Sequence, residues 1–150
     1  MVKKMKLTEE QIKSIAEDLE AGYKVYLNIE TKETKSVIDT DNNFYSETEP
    51  WKEDIKEIER NYDKYLEFDK MDSRESFRVM EEFVDSVEDE NLRKKLELGL
   101  SLSKPFRNFK DIIDNENEYR NEWFLFKDAR YIEFVKEQLD SYNTNIGNGI

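Results

Sequence analysis

Two neighbouring segments place aromatic and basic side chains together at helical spacing. Residues 104–111 read KPFRNFKD, and residues 120–128 read RNEWFLFKD. Aromatic side chains three or four positions apart lie on one side of a helix, and long cationic stems can cover them while the charge stays in water. The pattern therefore predicts a pair of packed helices. It specifies neither a reaction nor a ligand.

The composition is that of a folded domain with a heavily charged surface. The 150 residues are 37% hydrophobic, 13% aromatic and 40% charged. A chain of this length buries roughly 70% of the surface that its unfolded form exposes. Nine Phe, eight Tyr and two Trp concentrate the apolar volume in a few large side chains. We therefore expect an ordered core.

The chain contains no Cys and no His. Disulfides, thiolate chemistry and Cys/His zinc sites are thereby excluded within it, as are Ser-His-Asp and Cys-His nucleophile systems. Carboxylates, Lys, Tyr, Ser, Thr or a bound metal remain for any chemistry. No Gly-rich phosphate loop or dinucleotide fingerprint occurs, so nucleotide binding of these kinds is not expected. No cofactor is predicted, and the composition argues against an enzyme more than for one.

The net charge of −12 is concentrated in the middle of the chain. Residues 41–90 carry 7 basic and 18 acidic side chains, a net charge of −11, whereas residues 91–150 carry ten of each. A negative field repels phosphate backbones and anionic lipid, so a basic protein is the favoured partner and nucleic acid is disfavoured. No segment approaches the ~18 apolar residues of a membrane span, and the first residues lack a signal-peptide pattern. We expect a cytoplasmic protein without membrane contact; the oligomeric state is left open.

The first half of the chain alternates between helix and strand patterns. A capping box at Thr8 begins a helix with an apolar stripe, and Gly22 ends it. Residues 23–29 and 35–38 have the alternation and composition of a hairpin. Residues 64–68 are expected to add a third strand, because an isolated two-stranded ribbon is only marginally stable.

Helical patterns dominate the rest of the chain, beginning with an amphipathic stretch at Trp51. Further along, Gly99 within an apolar stripe indicates either a close approach of two helices or a weak helix position. Pro105 fits the first turn of the next helix, with Ser103 as its N-cap. A long last helix is expected at residues 118–141.

These elements predict one α+β domain that is mostly helical, with a small antiparallel β-sheet near its N-terminus. The domain is expected to occupy residues 1–142, since no repeat, low-complexity linker or Pro/Gly-rich boundary divides the chain. The small polar residues 143–150 are expected to form a flexible C-terminal tail. The residues expected to join the last helix to its neighbour are Trp123, Phe126, Phe106 and Phe109.

Two sets of oxygen ligands are candidates for a metal-assisted hydrolase. Asp39, Asp41 and Asn43 match the first three ligands of a calcium loop, but Phe44 stands where that loop needs Gly and Pro50 where it needs Glu. Other carboxylates lie at helical spacing but lack the Glu-x-x-His pattern of di-metal bundles. These carboxylates are Glu53, Asp54, Glu57, Glu59, Glu81, Glu82 and Asp85. Solvated faces are the simpler interpretation, and no metal or catalytic residue is assigned.

Basic residues among large apolar ones have two interpretations. Arg78, Arg107, Arg120 and Arg130 are expected to form an interhelix network of ion pairs. The alternative is an anion pocket where Lys104, Arg107 and Lys110 converge near the start of a helix, whose free amides favour negative charge. Acidic residues on the same segment weaken this alternative, which would support a nucleic-acid-linked regulator.

A non-enzymatic protein-interaction domain is the favoured function, with the hydrolase and the regulator as alternatives. The acidic field would accelerate encounter with a basic partner, but exposed aromatic side chains beside it would have to supply specific affinity. The candidate partner-binding residues are Phe44, Tyr45, Trp51, Glu53, Asp54 and Glu57.

Several motifs together give the chain a family resemblance. They are the capped first helix, the hairpin around residues 30–33, MxSRxSFRxMxxFV at residues 71–84, KPFRxFK at 104–110 and RxxWFxFK at 120–127. The chain resembles the bacterial uncharacterised protein family 0158 of the UPF series over nearly its whole length, about residues 5–140. The resemblance implies a small bacterial single domain and brings no established activity, substrate or cofactor. Relatives often have Gly in the hairpin turn where this chain has Lys32.

Overall fold

The computed structural model describes residues 4–38 and 50–147. The helices in these ranges are α1 Glu9–Glu20, α2 Lys52–Arg60, α3 Ser73–Ser86, α4 Glu90–Ser101, α5 Pro105–Ile113 and α6 Asn117–Gly147. The strands are β1 Tyr23–Asn28, β2 Thr34–Ile38 and β3 Tyr65–Phe68. The predicted fold class is confirmed: the chain is mostly helical, with a three-stranded antiparallel sheet near the N-terminus.

The chain forms two compact units. The first unit comprises Met1–Lys70 and Tyr131–Ile150, and the second unit comprises Met71–Arg130, so α6 contributes residues to both. Of the helices described, none combines the length and the apolar character that crossing a bilayer would require. A single domain at residues 1–142 stays a prediction.

The sheet of the first unit has the strand order β2-β1-β3. Val25 of the central strand lies opposite Ser36 on one side and Phe68 on the other. Because alternate residues of a strand point to the same face, Val25 and Leu27 share the buried face, and α1 contacts β1. The third strand expected at residues 64–68 is thus confirmed, and it pairs with β1.

The turn between β1 and β2 is built around one asparagine. The side-chain oxygen of Asn28 accepts hydrogen bonds from the amides of Glu30 and Thr31, at 2.9 and 3.1 Å. Lys32, whose amide donates to the Asn28 carbonyl at 2.7 Å, has a φ of 65°. This left-handed conformation is open to Gly without a steric penalty but crowds the Cβ of any other residue.

Two side-chain amides of α6 bind backbone groups elsewhere in the first unit. Gln138 donates to the Asp69 carbonyl at 3.1 Å and accepts from the Asp69 amide at 2.9 Å. Asn143 makes the same pair of bonds with Met5, at 2.9 and 2.7 Å. The helix continues to Gly147 instead of ending near Ser141, so part of the segment expected as a tail is helical.

An aromatic cluster lies in the middle of the second unit. The ring of Phe83 on α3 lies 6.4 Å from that of Phe109 on α5, and 5.3 and 5.5 Å from those of Trp123 and Phe126 on α6. Trp123 also contacts Phe109, with ring centroids 4.8 Å apart. The expected burial of Trp123 against α5 is therefore confirmed.

Phe106, the other α5 residue expected to hold the last helix, lies elsewhere. Its side chain is 43% exposed, and its ring contacts Phe77 of α3 in an edge-on arrangement at 6.4 Å. In the α5 pattern, Phe109 is therefore the buried anchor, and Phe106 lies at the edge.

A tight corner joins α4 to α5. Asn108 donates hydrogen bonds to the carbonyls of Gly99 and Ser103, each at 2.9 Å. The expectation that Ser103 caps α5 is wrong, because the N-cap is Lys104, with a φ of 58° and no capping hydrogen bond from its side chain. The physical reason is that Pro105 occupies the first position of α5, which makes residue 104 the N-cap and leaves Ser103 one position too early.

Trp123→Ala should lower the free energy of unfolding by ~3–5 kcal/mol, because it removes the side chain shared by Phe83 and Phe109. Phe124→Ala is the matched control: it removes the next residue of the same helix, which is 37% exposed. The control should cost no more than about 1 kcal/mol. Chemical denaturation measures both, and equal losses would contradict the described cluster.

Lys32→Gly should raise the free energy of unfolding by about 0.5–1 kcal/mol, because Gly adopts the left-handed conformation without steric penalty. Lys13→Gly places the same substitution on an exposed position inside α1. There it should cost about 1 kcal/mol. Denaturation curves that fell for both variants would rule out relief of strain at Lys32.

Candidate interaction surfaces

Of the three aromatic residues predicted to bind a partner, only Trp51 lies within the described residues. Phe44 and Tyr45 lie outside the described residues. Trp51, which immediately precedes α2, is half-buried, and its ring lies 6.1 Å from that of Tyr23 in a tilted arrangement. Trp51 thus already packs against β1, which leaves only part of its side chain for a partner.

The carboxylates of α2 differ in their surroundings. Glu53 is exposed, whereas Asp54 accepts a hydrogen bond from Lys35 Nζ at 3.1 Å, and Glu57 accepts one from Asn61 Nδ2 at 2.9 Å. The hydrogen bond with Asp54 raises the pKa of Lys35. Lys35 and Asp54 therefore neutralise each other.

A shallow depression of about 560 Å³ runs along the solvent side of α2. It is lined by Glu53, Lys56, Glu59 and Arg60, two acidic and two basic residues. The exposed side of α2 is thus a mixed surface with no strong net charge, despite its position in the acidic middle of the sequence.

A groove lined by apolar and acidic residues lies between α3 and α4 in the second unit. Its volume is about 260 Å³, and we call it the acidic groove. The residues that line it are Phe77, Glu81, Val84, Asp85, Glu97, Leu100 and Ser101. Three of them are apolar and form a floor, of which Val84 is buried while Phe77 and Leu100 are half-buried.

Three carboxylates surround this floor. Glu81 and Asp85 are exposed, one helical turn apart on α3, and neither lies within ion-pair distance of a cation among the residues described. Glu97 on α4 pairs with Arg93 at 3.5 Å. Residues 81–90 contain six acidic and no basic residues, of which Glu82 pairs with Arg130 and Glu90 with Lys94.

Sequence reasoning named Glu81 and Asp85 only as possible metal ligands and did not find the groove. A signal was present, because Phe77, Glu81 and Asp85 recur at intervals of four residues and so share one side of a helix. What the sequence could not supply is the opposing wall, Glu97 and Leu100, which comes from the next helix.

The candidate metal sites are not assembled in the part of the chain that the structure describes. There, no three carboxylates approach one another closely enough to hold a metal ion. Asp39, Asp41 and Asn43 lie outside the described residues. The structure therefore adds no support to the metal-assisted hydrolase.

The candidate anion-binding residues Lys104, Arg107 and Lys110 are all exposed. Lys104 is the left-handed N-cap of α5, whereas Arg107 and Lys110 lie three positions apart within the helix and share one side of it. The helix start there has Pro at its first position, which removes one of the amides that an anion would use. No buried polar group is described beside them.

Two of the four singled-out arginines make the expected ion pairs. Arg120 Nε lies 3.3 Å from Asp114 Oδ1, and its guanidinium lies 4.9 Å from the ring of Phe124. Arg130 pairs with Glu82 of α3 and lies 5.1 Å from the ring of Phe126. For these arginines, the packing interpretation is confirmed.

One polar cluster on the sheet has a perturbed ionisation. The hydroxyl of Tyr26 donates to Glu67 Oε1 at 3.2 Å, and Lys24 Nζ lies 3.3 Å from the same oxygen. Burial, followed by the negative charge of Glu67, raises the pKa of Tyr26 to about 12. The three residues form a cross-strand pairing between β1 and β3, which accounts for the cluster without a ligand.

Comparison with known proteins gives one informative match. The model of the uncharacterised protein family UPF0158 matches residues 38–146. The matched range contains the motifs at residues 71–84, 104–110 and 120–127, and it begins after α1 and nearly all of the hairpin. No curated protein and no solved structure matches the chain.

Tyr26→Phe should reduce the loss of stability at alkaline pH. Because the pKa of Tyr26 is raised from 10.0 to about 12 in the folded state, its contribution is complete below pH 10 and is lost as the pH rises through 12. Denaturation between pH 9 and 11 should therefore show a smaller decline for Tyr26→Phe than for the wild type. Tyr62→Phe, at a 65% exposed side chain, is the control and should follow the wild type.

Proposed function

The chain belongs to the uncharacterised protein family UPF0158, and from this starting point we propose that it is a non-enzymatic protein-interaction domain. Its acidic groove binds a basic amphipathic segment of a partner protein. The observation that carries this proposal is the combination of an apolar floor and an acidic rim between α3 and α4.

The floor supplies the affinity. Phe77 and Leu100 are half-buried in the free chain, so a partner side chain that covers them removes apolar surface from water. Such burial contributes about 25 cal/mol per Å². A groove of about 260 Å³ accommodates one or two large apolar side chains, which fits a short helical or extended segment.

The rim supplies the charge preference. Glu81 and Asp85 have no cation partner among the described residues, so a Lys or Arg of the partner can pair with them without displacing an existing ion pair. At physiological salt their field extends about 8 Å, which steers encounter with a basic surface. Such charges act mainly on the association rate, whereas the floor determines how long the complex lasts.

The acidic groove offers more unpaired negative charge to a basic partner than the exposed side of α2 does. On α2, Asp54 is paired with Lys35, and the exposed depression carries as many basic as acidic residues. The partner-binding role of Phe44, Tyr45, Trp51, Glu53, Asp54 and Glu57 remains a second hypothesis for the same function, because the segment with Phe44 and Tyr45 lies outside the described residues.

A synthetic amphipathic peptide with one Leu face and one Lys face tests the groove. Glu81→Gln with Asp85→Asn should lower its association rate about tenfold, a loss of about 1.4 kcal/mol. Glu53→Gln with Glu59→Gln changes the net charge equally on α2 and should change the rate less than about twofold. Surface plasmon resonance at several salt concentrations measures both.

Two further comparisons separate specific binding from a general field effect. Leu100→Ala should raise the dissociation rate of the peptide without slowing its association, because the substitution alters only the apolar floor. A peptide in which Glu replaces every Lys should not bind to the wild-type chain. Equal effects of the α3 and α2 charge pairs would contradict the proposal and leave only nonspecific attraction. A larger effect of the α2 pair would favour the second hypothesis, in which the partner binds at α2.

A further inference from the structure

An apolar pocket lies on the side of α4 opposite the acidic groove. It has a volume of about 340 Å³, and we call it the α4–α5 pocket. The residues that line it are Lys95, Leu98, Gly99, Leu102, Asn108, Asp111 and Ile112. On α4 the groove uses Leu100 and the pocket uses Leu98, two positions away, and side chains two positions apart do not face the same way.

Two leucines protrude beside this pocket. Leu98 of α4 is 61% exposed and Leu102, the C-cap of that helix, is 55% exposed, and both line the pocket. Large apolar side chains exposed side by side next to an apolar cavity mark an interaction surface more often than an isolated exposed leucine does. The surface thus contains both a projection and a recess.

The recess is held rigidly. A Cβ on Gly99 would lie 3.1 Å from Ile112 Cδ1 and 3.3 Å from Asn108 Cβ, so α4 and α5 are in close contact at this point. The two hydrogen bonds from Asn108 to the carbonyls of Gly99 and Ser103 fix the corner. A partner therefore meets a shape that already exists in the free chain, which lowers the entropic cost of binding.

The charges at the rim are opposite in sign. Lys95 and Asp111 line the same pocket, and neither makes an ion pair with another residue in the described ranges. In a two-fold symmetric pair of identical chains, each contact between two different residues occurs twice. A rim with one cation and one anion is then self-complementary, because Lys95 of each copy can face Asp111 of the other.

We propose that the α4–α5 pocket binds a second copy of this chain. Leu98 and Leu102 of one copy enter the recess of the other, and the reciprocal contact closes a two-fold dimer. The small size of the surface fits a weak, reversible dimer, since weak and transient complexes bury less than about 1,200 Å². This surface lies apart from the acidic groove, so the proposal does not depend on the proposed function.

Sedimentation velocity of the full chain over a wide concentration range, at about 0.15 M salt, tests the dimer. At this salt concentration the Debye length of about 8 Å screens the repulsion between two negatively charged copies. The wild type should shift from monomer to dimer with concentration and form no larger species. Leu98→Ser with Leu102→Ser should remain monomeric with an unchanged circular dichroism spectrum, since both side chains are exposed.

Charge reversal tests the arrangement itself. Lys95→Glu alone and Asp111→Lys alone should each weaken dimerisation at least about threefold, because each creates two like-charge contacts per dimer. The variant with both reversals, and an equal mixture of the two single variants, should dimerise within about twofold of the wild type. Lys13→Glu on α1 makes the same charge change as Lys95→Glu and should have no effect.

Four outcomes would overturn the proposal. The first is a wild-type chain that remains monomeric at every concentration, and the second is a dimer that persists in Leu98→Ser with Leu102→Ser. The third is a double reversal that fails to restore the association lost in the single ones. Retained dimerisation in Glu81→Gln with Asp85→Asn would confirm that the two surfaces act independently, and its loss would contradict the assignment of the interface to this face.

Discussion

Contact of the Phe83 ring with Phe109, Trp123 and Phe126 is the interaction on which the second unit depends. One side chain of α3 thereby fixes the positions of α5 and α6 against it. Edge-on and tilted arrangements of this kind add about 0.5–1.5 kcal/mol per pair beyond the burial of apolar area. With Phe83 directed into the cluster, the helical period turns Phe77, Glu81 and Asp85 towards the other side of α3, where α4 meets them. The acidic groove is therefore a geometric consequence of where the aromatic cluster lies.

Features that depend on neighbours in the sequence were predictable. The capping box forms as expected, with Gln11 N donating to Thr8 Oγ1 at 3.1 Å and Thr8 N donating to Gln11 Oε1 at 2.8 Å. The hairpin, the third strand and the burial of Trp123 follow from patterns of period two or three to four. Features that depend on distant partners were not predictable. Ser103 has the side chain of a cap, but α5 begins at Pro105 with Lys104 as its N-cap, and only the fold shows this. The pairing of β3 with β1 likewise joins residues about forty positions apart, which no local pattern specifies.

In the candidate site, too, the sequence predicts local features but not the contacts between distant residues. Counting charges along the chain located the acidic middle correctly, but the count does not say which carboxylates find partners in space. Asp54 was expected to present its negative charge to a partner, yet it is paired with Lys35, whereas Glu57 accepts a hydrogen bond from the neutral amide of Asn61. Glu81 and Asp85, which looked like an ordinary solvated face, have no cation partner among the described residues and border apolar side chains. The sequence gives the number of charges in a segment, whereas the fold determines which of those charges are paired with an opposite charge.

Gly99 connects these observations, because the sequence left open whether it was a defect in α4 or a point of close approach. A Gly inside a helix costs about 1 kcal/mol relative to Ala. That cost is offset here, since any Cβ would come within 3.1 Å of Ile112 and 3.3 Å of Asn108. Close contact at Gly99 lets Asn108 reach the Gly99 carbonyl, and Leu98 and Leu102 beside it are more than half exposed. A side chain at this position would require Ile112 and Asn108 to move by a few tenths of an ångström. Gly99 therefore costs helix propensity but permits the close approach of α4 and α5 at this corner.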